Sequence, residues 1–208
     1  MTFVKICGMR DESALAAALE AGAQAVGVLL TPGFSRTVSL QRARELLSRV
    51  PEGVERVGVF WRADLATMAR AARELPLTTL QLHGTWPPRY RERLAGLNFI
   101  RVVGSTPGGA APRMPRGFDR VLLDARVASG RGGTGQVADW SLAARWATRT
   151  RVILAGGLRP ENVAAALATA RPYGVDVASG IEEEGRASPA RIRAFIAEVR
   201  RWDDAVAG

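Results

Sequence analysis

Cysteine, histidine and lysine each occur once in this 208-residue chain, as Cys7, His83 and Lys5. A lone cysteine has no partner for an internal disulfide, which points to a reducing compartment. One histidine and one cysteine fall short of the usual zinc ligand sets, and no metal is expected; an all-carboxylate magnesium site stays open. No apolar run approaches the ~20 residues that a membrane-spanning helix needs. Met1-Thr2-Phe3-Val4-Lys5 reads as a strand, unlike the basic and then apolar start of a secretory leader. A cytoplasmic location without membrane contact is therefore expected.

Charge is abundant and lopsided. The formal net charge is +9, carried almost wholly by arginine. Arg42, Arg44, Arg49, Arg70 and Arg73 scatter over helix-like segments instead of forming one run. A solvated basic surface accounts for this better than a nucleic-acid patch, and such a surface steers anionic ligands inward. Hydrophobic residues at 47% and charged residues at 24% are ordinary for a globular domain.

Strand-like apolar runs recur at residues 3–7, 25–30, 54–60, 78–83, 99–104, 118–124, 151–155 and 174–179. Most are near-continuous Val/Ile/Leu, as parallel strands covered on both faces should be. Helical periodicity lies between them. Asp11, Ser39 and Ser188 stand as N-caps, Pro160 as a helix N1 residue, and the final helix runs to about residue 203. Residues 105–117 are rich in Gly and Pro, so the fifth helix is expected to be short or missing; residues 125–139 form a long Gly-rich loop of the functional kind. Eight such units predict an α/β fold, a compact (β/α)8 TIM barrel occupying residues 1–208 as one domain. An open doubly wound sheet is disfavoured, because no Gly-x-Gly-x-x-Gly follows the first strand.

A barrel of this kind carries its chemistry at the C-terminal strand ends. That rule nominates Cys7, His83, Asp124 and the pair Ser179-Gly180. Cys7 is either a small buried hydrophobe or a thiolate base whose pKa the nearby Lys5 lowers. Asp124 closes the apolar run Val121-Leu122-Leu123, where a carboxylate calls for a role in a site. Gly156-Gly157 after the seventh strand and Ser179-Gly180 after the eighth offer backbone N–H groups to a phosphate, aided by a short helix after the eighth strand.

Lys5-Ile6-Cys7-Gly8, Gln81-Leu82-His83-Gly84, Gly132-Gly133-Thr134-Gly135 with Asp139-Trp140, Leu154-Ala155-Gly156-Gly157-Leu158 and Gly174-Val175-Asp176-Val177-Ala178-Ser179-Gly180 follow one another along the chain. This ordered set resembles the phosphoribosylanthranilate isomerase family over essentially the whole sequence. The resemblance implies an Amadori rearrangement in tryptophan biosynthesis, without cofactor, on a small phosphosugar substrate, by a monomer or homodimer. It implies that Cys7 removes the sugar C2 proton, that Asp124 protonates the furanose oxygen, and that Arg36 holds the anthranilate carboxylate. His83 then either orients the substrate or bonds within the mouth. Asp176 either contacts the substrate or ties strands together. Gln81 is expected to satisfy a buried network, and Lys5 to be electrostatic or structural.

Three departures from the family pattern stand out. Ala178 replaces a serine before Ser179, Ala187-Ser188 replaces a Lys-Asp pair, and the serine near Arg36 is the adjacent Ser35. Other readings compete less well. An imidazole-pathway aminoaldose isomerase typically has an aspartate where Cys7 stands, a pentose-phosphate epimerase needs more than His83 for metal, and a nucleic-acid-binding protein rests on charge alone.

Overall fold

The runs read as strands pair in chain order and close on themselves. A computed structural model describes residues 1–85, 89–105, 108, 110–125 and 138–208. In it β1 (Phe3–Cys7), β2 (Ala25–Leu29), β3 (Glu55–Trp61), β4 (Thr79–His83), β5 (Asn98–Ser105), β6 (Arg120–Ala125), β7 (Val152–Leu154) and β8 (Gly174–Val177) form a closed barrel. Every neighbouring pair is parallel, including β1 with β8. Alternation along each strand sends one residue inward and the next outward. Phe3, Ala25, Val57, Val59, Ile100, Val102, Leu122, Ile153 and Ala155 fill the interior. The outward set, with Val4, Ile6, Val26, Leu80, Leu123 and Val175, packs against the helices in a second, larger core.

The helices begin where short polar side chains cap them. Asp11 Oδ1 accepts from Ala14 N for α1 (Glu12–Glu20), Ser39 Oγ from Arg42 N for α2 (Leu40–Leu47), and Asp64 Oδ1 from Thr67 N for α3 (Leu65–Glu74). Each bond satisfies one of the four free N–H groups of a first turn. The fourth helix, α4 (Tyr90–Arg93), is one turn long. Described residues 110–119, between β5 and β6, contain no helix, in keeping with their proline and glycine content. The sequence Asp139-Trp140 supplies a cap and a first helical residue: Asp139 Oδ1 accepts from Leu142 N at the start of α5 (Trp140–Ala147).

Two expectations need correction. Pro160 is not the N1 residue of α6 (Val163–Ala170); it sits in the preceding turn, where Asn162 Oδ1 accepts from Arg159 N and delays the helix. The short helix expected after β8 is the single 3₁₀ turn Ser179–Ile181, too short to add the helix-end charge expected of it. After it comes a hairpin of β9 (Glu182–Glu183) and β10 (Arg186–Ala187). Then α7 (Pro189–Ala207) runs four residues past its expected end, with Ser188 as its cap.

Candidate active site

Lys5 and Asp176 form the floor of the mouth. They are register partners on β1 and β8, both face inward, and Lys5 Nζ donates to Asp176 Oδ1 at 2.7 Å. Lys5 is wholly buried. Burial works against its charge, but Asp176 and then Cys7 outweigh that and hold the ammonium above its ordinary pKa. Asp176 thus ties two strands together. Space for the lysine comes from Gly27 on β2, where a Cβ would lie 3.0 Å from Cys7 Sγ and 3.3 Å from Lys5 Nζ.

Cys7 is half-buried at the end of β1. The expectation of a lowered thiol pKa is overturned. Burial pushes it up, Asp176 adds to this, and the opposing pull of Lys5 and Arg36 does not compensate. The physical reason is the water lost around the thiol, which outweighs the pull of the Lys5 ammonium. Asp124, near the end of β6, is also pushed up, to about 6, first by burial and then by the charge of Asp176; the Ala125 N–H and Lys5 offset only part. Cys7 and Asp124, distant in sequence, therefore both lie within electrostatic reach of the same Lys5–Asp176 pair.

Above them, Arg36 leaves the loop after β2. Its Nε and Nη2 donate to the two oxygens of Glu182 at 2.7 and 2.6 Å. This uses the side edge of the guanidinium; the edge between the two terminal nitrogens has no partner among the described residues. Gly8, with φ of +80°, admits the side chain: a Cβ there would stand 2.7 Å from Arg36 Cδ. The loop itself is strapped to the β9–β10 hairpin by Arg10, which donates to Ser35 O at 3.0 Å and to Gly185 O. Ser35, out of register with the family pattern, serves here through its carbonyl.

Across the mouth, the turns after β7 and β8 face each other. The N–H groups of Gly156, Gly157, Ser179 and Gly180 donate to no partner among the described residues. All four residues are half-buried. Neither turn admits a side chain at its tightest point. A Cβ on Gly156 would lie 2.3 Å from Ala125 N and 2.8 Å from Asp124 Oδ1, and one on Gly180 would lie 1.8 Å from Leu158 O. Asn162 closes the first turn by donating to Gly157 O at 2.9 Å. Two adjacent turns thus carry four N–H groups without a partner among the described residues, the kind of donor an anion site uses.

His83 ends β4, its ring 5.8 Å from that of Trp61 on β3, which in turn lies 6.1 Å from Phe34. Burial, and then Lys5 and Arg101, lower its pKa to about 3, so the imidazole is neutral. Sequence reading missed Gly27, Glu182 and Trp61. Trp61 was legible as the inward residue closing β3; Glu182 gave no signal before its partner was known. The segment Gly132-Gly133-Thr134-Gly135 lies outside the described residues. Among those described, no three His, Cys, Asp or Glu side chains gather into a metal-ligating group, and no helix is long and apolar enough to cross a membrane.

A closed parallel barrel with an acid, a thiol and a guanidinium near its C-terminal strand ends defines an enzyme of the (β/α)8 class. Comparison narrows the class: the family model for N-(5'-phosphoribosyl)anthranilate (PRA) isomerase matches residues 4–198, and the chain belongs to that family. It is 40% identical over 205 residues to the N-(5'-phosphoribosyl)anthranilate isomerase of Methanothrix thermoacetophila, covering 96% of this chain and 99% of the relative. The phosphoribosyl anthranilate isomerase structure from Thermus thermophilus is similar at 34% identity and TM-score 0.84, covering 96% of this chain and 99% of that one. Monomers of the dimeric Thermotoga maritima enzyme align at 30% identity and TM-score 0.80, over 97% and 100% of the two chains.

Proposed function

We infer that the chain rearranges N-(5-phosphoribosyl)anthranilate, an aminoaldose, to 1-(2-carboxyphenylamino)-1-deoxyribulose 5-phosphate, an aminoketose. The observation that carries this is a carboxyl group held at about 6 and a thiol, both turned to one buried ion pair beside an anion cradle. Asp124 in its protonated form gives its proton to the furanose oxygen as the bond from that oxygen to C1 breaks. The nitrogen lone pair forms the C1=N bond of a Schiff base. Cys7, as thiolate, removes the C2 proton, and the electron pair left behind flows to the imine nitrogen. The resulting enolamine gains a proton at C1 and loses one from the C2 hydroxyl. One hydrogen has moved from C2 to C1, and no external oxidant is involved.

Each remaining residue has a place in this course. Arg36 receives the anthranilate carboxylate on its open edge, and Gly156, Gly157, Ser179 and Gly180 bind the phosphate through N–H groups. Asp176 acts through Lys5, keeping a positive charge near the thiolate as it forms. His83 faces the substrate from β4. Residues 1–208 work as one catalytic domain in the cytoplasm, as a monomer or homodimer, on the small phosphosugar without nucleic acid or membrane. The loss of substrate fluorescence on adding purified protein tests the reading, with and without a chelator; absence of turnover would sink it.

A further inference from the structure

Gln81 is 2% exposed and stands two residues before His83 on the same inward face of β4. Its amide nitrogen lies 3.1 Å from His83 Nε2, while its Oε1 is buried with no partner among the described residues. An amide N–H pointed at an imidazole nitrogen requires that nitrogen to be a bare acceptor, and the neutral ring then carries its proton on Nδ1. Turning the amide over would place the oxygen against Nε2–H and leave an NH₂ group buried instead. That alternative strands both N–H donors, where the present one strands one N–H and the oxygen, so the local field decides between them. The charge of Lys5 reaches this site, since it helps to depress the proton affinity of His83. A positive field favours a stranded oxygen over stranded N–H groups. The Trp61 ring packs beside the imidazole, centroids 5.8 Å apart and planes tilted by 38°. His83 Nδ1 has no hydrogen-bond partner among the described residues.

We propose that Gln81 is a positioning residue that holds His83 as the Nδ1–H tautomer, so that the mouth receives a hydrogen-bond donor aimed at an acceptor oxygen of the phosphosugar. The donor role rests on the reading that His83 faces the substrate; control of the tautomer by Gln81 does not. It explains why an amide sits in an apolar interior with one end unsatisfied. The interior amide serves the ring above it. His83 can then neither take a proton from the substrate through Nδ1 nor compete with Cys7 as the base.

His83 is the single histidine, so nitrogen-15 spectra of histidine-labelled protein read its tautomer without assignment. The wild-type spectrum should show a protonated Nδ1 and a bare Nε2 at neutral pH. Gln81→Glu keeps the shape but turns the donor into a carboxylate that only accepts. It should move the proton to Nε2, raise the pKa of His83 into the readily titrated range, and raise KM about three- to tenfold, the span of one hydrogen bond, with a smaller change in kcat. Gln81→Met, which neither donates nor accepts strongly, should release the ring to a mixture of tautomers and serves if Gln81→Glu does not fold. A wild-type ring protonated at Nε2 would overturn the proposal, as would variants whose tautomer and titration match wild type. A displaced proton with unchanged KM and kcat would sink the donor role alone, because His83 would then not touch the substrate.

Discussion

Asp124 and Cys7 make opposite demands on pH. The acid must keep its proton and the thiol must lose one, yet Asp124 titrates at about 6 and the thiol is pushed above its ordinary value. The productive form is therefore a minority state whose share is constant between the two pKa values and falls outside them. We expect kcat/KM to climb through about pH 6, level off, and fall as the thiol ionises. Asp124→Asn should cut kcat at least ~10²-fold and remove the levelling at about pH 6, so that the residual rate keeps rising with pH until the thiol ionises. Cys7→Ala should cost at least as much, with a melting temperature near wild type; kcat close to wild type in either variant would count against the assignment. The same raised carboxyl has a cost in stability. The folded state binds this proton more tightly than the unfolded chain does, so stability falls as pH rises from about 4 to about 6. Asp124→Asn should accordingly stabilise the protein at pH 7 but not at pH 4 in urea unfolding. Thiol and carboxyl were legible as strand-end residues; the direction of the thiol's shift was not, because it is set first by the water lost on burial in the closed barrel.

At the scale of elements, function lies in connections and stability in caps. Arg36→Ala should raise KM well above its effect on kcat, since the residue's open edge meets the substrate's non-reacting carboxylate. Unchanged KM in steady-state assays would refute the clamp. Gly180→Ala would drive a Cβ to within 1.8 Å of Leu158 O, and the turn must move. Weaker binding of inorganic phosphate as a competitive inhibitor should follow, with kcat less affected. The helix caps at Asp11, Ser39 and Ser188 were readable because a short polar side chain before an apolar periodic run has one favourable local use. Pro160 misled for the converse reason. Proline fits the first turn of a helix and the turn before one equally well, and the side chain of Asn162 decided between them.

The whole barrel separates stability from chemistry by its two ends. At the end opposite the mouth, Arg120 is nearly buried, stacks 5.1 Å from the Phe3 ring, and donates to both oxygens of Glu55 at 2.8 and 2.6 Å. Thr79 Oγ1 adds a bond to Glu55 Oε2 at 2.7 Å. Glu55→Ala would strand a buried guanidinium, and a loss of about 3 kcal/mol in urea unfolding is expected, with kcat within about twofold of wild type. A matching loss of turnover would show that the two ends are not independent. The sequence alone determined the order of strands and helices, the family, and most of the residues around the mouth. Those depend on local periodicity, turn chemistry and short motifs, which survive being read in one dimension. Only the tertiary structure decided the pairings Lys5–Asp176 and Arg36–Glu182, the room left by Gly27, and the neutrality of His83. Each of these is set by which charge lies across the barrel and how much water it has lost, and closure of the sheet alone fixes both.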